Sequence, residues 1–324
     1  MVNRGEGMTM EWLRPRKPMY SQGYLIIESD DGNIGDFAYW LPLFDRIAQD
    51  YSDFYPQRCA VCCPTVNTAT INTANKMTDA QLRTLNRTHF WEIMSHGKYH
   101  AGIGRHPVIV NASAGQNRID VNGPLQLTLF SVTGYTYKVS EGVTEEIIQI
   151  ASKTNETYTA GYITTVNPLQ NSYTTAAVVQ LTQESMVSEL QSCIDELAAW
   201  DITATNHVFT YHGGLQFFFN QEAVDVVGQL FDSARGIIGI PNDYSVPEFD
   251  PHRLKATLLN DDLTTTAIDN ELDDTLVGNK LMIIYGHGES SALRTSRLEH
   301  LIRGALNRGI RIITRKQAVS LLFN

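Results

Sequence analysis

Apolar residues along this chain follow two different periods, and the period switches twice. "GYLIIES" (Gly23–Ser29) is a near-continuous apolar run, as expected of a strand covered on both faces. "DFAYWLPLFDRIAQDY" follows with apolar positions at helical spacing, and then "CAVCC", which reads as a buried strand just before Pro64. Thr78-Asp-Ala-Gln81 is a capping-box pattern that opens a helix running toward "HFWEIMSHGKYH". From about Arg105 to Gln180 the chain is rich in Val, Ile, Thr, Tyr, Asn and Gly. Its short runs "NRIDVNG", "YTYKVS", "EEIIQIAS" and "YITTV" are broken by turn signals, an all-β pattern. The helical period returns after Thr182, a predicted N-cap, with Met186, Leu190, Ile194 and Leu197 on one face. The remainder predicts a strand at "HVFTY", a helix over "AVDVVGQLF" ending near "SARG", and a buried strand at "KLMIIYGHG". A helix over Arg294–Asn307, a strand at "IRIITR" and a short helix over Lys316–Leu322 complete it.

Repeated strand–helix units of this size imply a parallel sheet, open or closed into a barrel. The expected organisation is an N-terminal extension (1–19), an α/β barrel built from 20–104 and 181–324, and an inserted β-rich module (105–180). Because the helical pattern stops after His100 and resumes at Thr182, the two ends of the insertion should lie close together. The insertion is expected either to be a separable module that binds long glycan chains or another subunit, or to cover an apolar face of the barrel.

Composition removes several classes. The 324 residues are 43% apolar, enough for a sizeable core. Lysine and arginine number 25 against 35 acidic residues, a net charge of -10, and no basic stripe is present. Nucleic-acid binding is therefore not expected. No run of about 18 apolar residues predicts membrane insertion, and the first residues lack the apolar core of a secretory signal. The expectation is a protein made in soluble form. Three of the four cysteines sit in "CAVCC"; with no second pair to complete a zinc site, they read as core packing.

Three apolar strands carry unusual polar residues at their C-terminal ends. "YLIIES" runs into Asp30-Asp31-Gly32, "HVFTY" into His212-Gly213-Gly214, and "KLMIIYG" into His287-Gly288. Active sites assemble at that end of parallel α/β sheets. His96 and His100, spaced i, i+4, are expected on one face of a helical turn, where both can bind one metal ion. Two imidazoles and one carboxylate leave positions open for water and substrate, the pattern of a hydrolytic metal site.

The ordered set "ESDDG", "WEIMSHGKYH" and "YGHG" resembles the motifs of the polysaccharide deacetylases, carbohydrate esterase family four. "ESMVSELQSCIDELAAW" followed by "HVFTYHGG" is similar to that family's later helix and third motif. The resemblance covers about 20–103 and 182–322. It implies a distorted (β/α)7-8 barrel of the polysaccharide deacetylase type, here with an inserted small all-β module. It also implies one divalent metal ion, zinc first, with cobalt, nickel or manganese as alternatives. The metal ligands would be Asp31, His96 and His100, the general base Asp30, and the general acid His287. The oxyanion would be held by the metal and a backbone N–H near Tyr211. The implied substrate is an acetylated polysaccharide, from which N-acetyl groups are removed. The alternatives are an O-acetyl esterase on glycan and a catalytically weak glycan-binding tail protein.

The chain departs from the family pattern in four places. Gly97 stands at the Ser/Thr position of H-[ST]-x-x-H. Thr210 and His212 stand where the third motif has arginine and proline, and the tryptophan-bearing fourth motif is not identifiable. Arg235, in "SARG", either replaces the missing arginine from a later loop or is an ordinary surface arginine; His212 either touches substrate or packs. The stretch 134–182 is also similar to short β-modules of tailed-phage structural proteins. That second resemblance implies virion tail proteins as partners, with a homo-oligomer as the alternative, and action at a host cell surface; otherwise the protein is expected in the cytoplasm.

Overall fold

The computed structural model describes residues 23–54, 59–122, 128–156, 160–202, 208–212, 220–236, 250–278, 280–288 and 291–322. The expected N-terminal extension and the Gly213-Gly214 pair lie outside the described residues. The chain begins with strand β1 (Tyr24–Ser29), a π-helical turn (Asp36–Trp40), helix α1 (Leu41–Asp50), β2 (Cys63–Val66), α2 (Asp79–Thr88) and β3 (Met94–Ser95). Then come β4 (His106–Pro107), β5 (Arg118–Asn122), β6 (Thr136–Glu141), β7 (Thr144–Asn155), β8 (Ala160–Thr165) and β9 (Val178–Leu181). Helix α3 (Gln183–Ala199), β10 (Val208–Thr210), α4 (Gln221–Leu230), β11 (Ser233–Arg235) and β12 (Thr257–Leu258) follow. Last are α5 (Thr265–Val277), β13 (Leu281–Gly286), α6 (Ala292–Arg308), β14 (Arg311–Ile312) and α7 (Arg315–Leu322).

Eight strands form one parallel sheet in the order β11-β10-β3-β2-β1-β13-β12, with β14 paired to β1. One edge of β1 is shared, since Tyr24 and Leu25 pair with β14 while Glu28 and Ser29 pair with β2. The segment entering β12 reaches both ends of the sheet. Leu254 bridges Arg235 of β11, and Thr257 and Leu258 pair with β13. The sheet thus curls into a distorted (β/α) barrel, the architecture its strand–helix alternation predicts.

Side-chain alternation along β1 decides what enters the barrel. Leu25 and Ile27 belong to the apolar cluster formed with α1, α2 and α6. Ile26 belongs to the interior cluster with Cys63, Met94, Val208, Leu281, Ile283 and Tyr285. By the same period Glu28 and Asp30 share the face of Ile26, and both are buried.

Local signals act where the sequence places them. Thr78 and Gln81 exchange both capping-box hydrogen bonds, at 3.2 and 2.8 Å, a cap worth about 1 kcal/mol. Thr182 caps α3 by accepting from the Ser185 N–H. Helix α6 ends at Gly309, whose φ of 74° favours glycine and turns the chain into β14.

Two expectations are corrected. The "CAVCC" strand begins only at Cys63 and continues through Pro64 to Val66; all four cysteines are buried and none is in a disulfide. His96 and His100 do not lie on a helical turn. They flank a loop after β3 in which Gly97 and His100 both have positive φ (74° and 60°), and that backbone cannot continue a right-handed helix.

Strands β4–β9 form a second, antiparallel sheet in the order β4-β9-β6-β7-β8-β5. His106 pairs with Val179, so the two ends of this segment are neighbours. Its buried face is not self-contained: Ile119, Val139, Val179 and Leu181 share one cluster with Met186, Leu190, Phe209, Val224 and Val227 of α3, β10 and α4.

Candidate active site

In a parallel sheet every strand delivers its C-terminal end to the same side. Ser29 is level with Gly286 and Pro64, and Ser95 with Val66 and Phe209. Asp30, Asp31, His96, Tyr211, His212 and His287 therefore emerge together.

Asp31 turns out of the strand with φ 72°, followed by Gly32 at 59°. A non-glycine residue in this region needs outside support. Lys76 Nζ donates to the Asp31 carbonyl (2.8 Å) and to Asn33 Oδ1 (2.9 Å). Asn33 Nδ2 donates in turn to the carbonyls of Asp30 (3.1 Å) and His287 (3.0 Å), tying β1 to β13.

The Asp31 Oδ1 lies 3.6 Å from His96 Nε2 and 3.7 Å from His100 Nε2, and one donor atom from each residue lies within 4.8 Å of the others. Among the described residues this is the one group of His, Cys, Asp and Glu donors so gathered. Asn67 Nδ2 donates to Asp31 Oδ1 at 3.0 Å. His96 Nδ1 pairs with the Thr210 carbonyl at 2.8 Å, so in the neutral ring Nδ1 carries the hydrogen and Nε2 the lone pair.

The protonation states also suit a cation. Burial and the neighbouring His96 push His100 down to about 4. Burial opposes ionisation of Asp31, but His96, His100 and Lys76 outweigh it and bring its carboxyl down to about 2. At neutral pH His100 and Asp31 therefore need lose no proton to bind a metal. The N,N,O donor set with an oriented imidazole fits a divalent transition metal such as zinc.

Asp30 is held differently. Burial favours its neutral form, but the adjoining Arg235 guanidinium, helped by His96 and His287, brings it below the ordinary carboxylate value. Arg235 Nη2 and Thr65 Oγ1 (3.1 Å) both donate to Asp30 Oδ1. Arg235 does not sit on a later loop or at the surface. It is fully buried on β11, bonds Glu28 through Nε at 2.5 Å, and lies over the Tyr285 ring at 4.3 Å. Arg315 Nη1 donates to the other Glu28 oxygen at 3.1 Å. Asp30, Arg235, Glu28 and Arg315 thus form one buried chain of alternating charge. Replacing Arg235 by methionine would strand the buried Asp30 carboxylate and leave Glu28 with Arg315 alone. Chemical denaturation is expected to show a loss of about 3–5 kcal/mol; unchanged stability would remove this network from the fold.

The remaining candidates separate. His287 is exposed at the mouth and close enough to lower both aspartates. The Tyr211 N–H is already committed, donating to the Arg235 carbonyl at 3.0 Å within the sheet, so it is not available to an oxyanion. His212 is buried, its ring centroid 4.8 Å from those of both His96 and His100, and its Nε2 bonds the His96 carbonyl. It packs behind the two histidines. A Cβ at Gly97 would stand 2.6 Å from His212 Nε2 and 2.5 Å from Glu189 Oε1, so the glycine leaves the room that these two side chains occupy.

The sequence reading missed Asn67, Lys76, Glu28, Arg315 and Glu189. Asn67 had a signal, because it directly follows β2 as His96 directly follows β3. Glu189 is fully buried on α3 and pushed up to about 7 by burial, against the hydrogen bonds it accepts.

Among solved structures the chain is similar to a family 4 carbohydrate esterase from Streptomyces lividans, determined in complex with acetate. The two are 12% identical with a TM-score of 0.44, and the match covers 92% of this chain and 96% of that one. No family model and no curated protein matches the chain. No helix among the described residues is long and apolar enough to cross a membrane.

Proposed function

We propose that this protein is a metal-dependent hydrolase that removes acetyl groups from N-acetylated glycan. The convergence of Asp31, His96 and His100 beside an ionised, arginine-held Asp30 carries this reading. Asp31, His96 and His100 would hold the divalent cation, zinc by donor type. When bound, such an ion polarises an acyl carbonyl and acidifies a coordinated water. The chain's own groups handle the protons. Asp30, fixed by Arg235 and Thr65, takes the proton of the attacking water. His287, at the solvent-facing mouth, gives one to the departing nitrogen. His212 and Thr210 act behind the site, by packing on the ligand rings and by fixing the His96 tautomer.

Elemental analysis of protein purified without chelator is expected to show one divalent metal per chain. Asp31→Asn and His96→Ala should lose it, and acetate release from a chitooligosaccharide should stop with it. Full metal occupancy in His96→Ala would sink the ligand assignment. Acetate release only from O-acetylated glycan would replace the deacetylase reading with an esterase on the same residues.

A further inference from the structure

The loop from His96 to Ala101 has no regular secondary structure and two positive-φ residues, yet it must present two imidazoles to one point. The N–H groups of His96 and Gly97 go to Val66 and Ser95, and those of Lys98, Tyr99 and Ala101 are satisfied from α3. Glu189 Oε1 accepts from the N–H groups of Tyr99 (2.9 Å) and Ala101 (3.0 Å), which bracket His100. The Glu189 carbonyl accepts from the Lys98 N–H at 3.2 Å. The second carboxylate oxygen accepts from the hydroxyl of Tyr135, the residue just before β6 of the antiparallel sheet, at 3.0 Å.

We infer that Glu189 is a positioning residue for the metal site, standing in the space that a side chain at position 97 would fill and fixing His100 before any metal arrives. The inference rests on the reading of Asp31, His96 and His100 as ligands. Gly97 is its steric counterpart, since a Cβ there would meet Glu189 Oε1 at 2.5 Å. A carboxylate oxygen is suited to this place because it can accept two N–H donors at once. Burial of the whole side chain removes water as a substitute partner. Tyr135 holds the second oxygen, so the antiparallel sheet reaches the ligand loop through one side chain.

Groups that orient metal ligands typically cost 10–100-fold in metal affinity when removed. The test is zinc affinity, measured by competition with a chromogenic chelator at a temperature well below unfolding. Glu189→Leu and Glu189→Asp are each expected to weaken binding by about 10–100-fold. Glu189→Gln, which keeps an oxygen at the reach of Oε1, should restore most of it. If the leucine variant does not fold, the aspartate variant decides, since it keeps the carboxyl group and loses only the reach. Wild-type affinity in the aspartate variant overturns the inference. Amide exchange of metal-free wild-type protein gives a reading free of any substitution: Tyr99 and Ala101 should be protected, and exchange at unstructured-chain rates also overturns it. A wild-type protein that takes up no zinc at all defeats the metal reading itself, whatever the exchange rates.

Discussion

Asp30→Asn protein is expected to keep its metal and its fold while losing about 10²–10⁴-fold in kcat, the usual worth of general-base assistance. The two neighbouring aspartates should fail in different ways because the strand sends them to different places. Asp30 follows Ile26 and Glu28 onto the barrel interior, where it meets Arg235 and Thr65. Asp31 turns away through positive φ toward His96 and His100. An amide at position 30 fills the same volume but cannot take a proton from water, and its NH2 group cannot accept from Arg235. Glu28 still neutralises that arginine, so the stability cost should be about 1–3 kcal/mol, the penalty of one imperfectly satisfied buried group. Steady-state acetate release together with metal stoichiometry separates the outcomes. His287→Ala should also spare the metal, with its loss in kcat largest on substrates with poor leaving groups. Near-normal turnover by Asp30→Asn, with metal bound, would remove Asp30 from the chemistry.

Much of this site was legible because parallel strands deliver their ends to one side. An apolar run interrupted by Asp30-Asp31 or His287 marks both the strand and its functional end. The same rule would have found Asn67, had β2 been read as running to Val66 rather than ending before Pro64. Periodicity reports which face is buried and says nothing of what lies opposite. Arg235 meets Asp30 across 205 residues and Arg315 meets Glu28 across 287, so neither pairing leaves a local trace. The spacing of His96 and His100 suggested a helix because i, i+4 is a helical repeat. A loop with two left-handed residues brings the same two rings to 4.9 Å by another route. Tyr211 shows the opposite limit. Its position beside the site was legible, but only the sheet register reveals that its N–H already bonds Arg235.

Replacing 105–180 by a short Gly/Ser linker is expected to give insoluble or metal-free protein, the outcome of a segment that covers an apolar barrel face and not of a separable module. The ends of the segment are indeed neighbours, through the pairing of β4 with β9, and loop closure across them would cost little. The obstacle is the shared core. Met186, Leu190, Phe209, Val224 and Val227 lie in one cluster with Ile119, Val139, Val179 and Leu181 of the antiparallel sheet. Fully burying such side chains is worth about 1.5–3 kcal/mol each. If the sheet supplies even half the cover of those five, its loss costs roughly 4–8 kcal/mol, comparable with a typical total stability of about 5–15 kcal/mol. Polar links across the seam would go too: the reciprocal pair of Gln180 and Asn220 at 3.1 and 3.0 Å, Thr136 to Ser185 at 3.0 Å, and Tyr135 to Glu189. Asn220 caps α4 and Ser185 lies in the first turn of α3, so both helices would lose support where they begin. Far-ultraviolet circular dichroism, gel filtration and zinc content of the deletion protein measure this directly. A monomeric, zinc-loaded deletion protein active on a small acetylated substrate would show that the sheet is an accessory, and that α3 and α4 can shield their apolar faces without it.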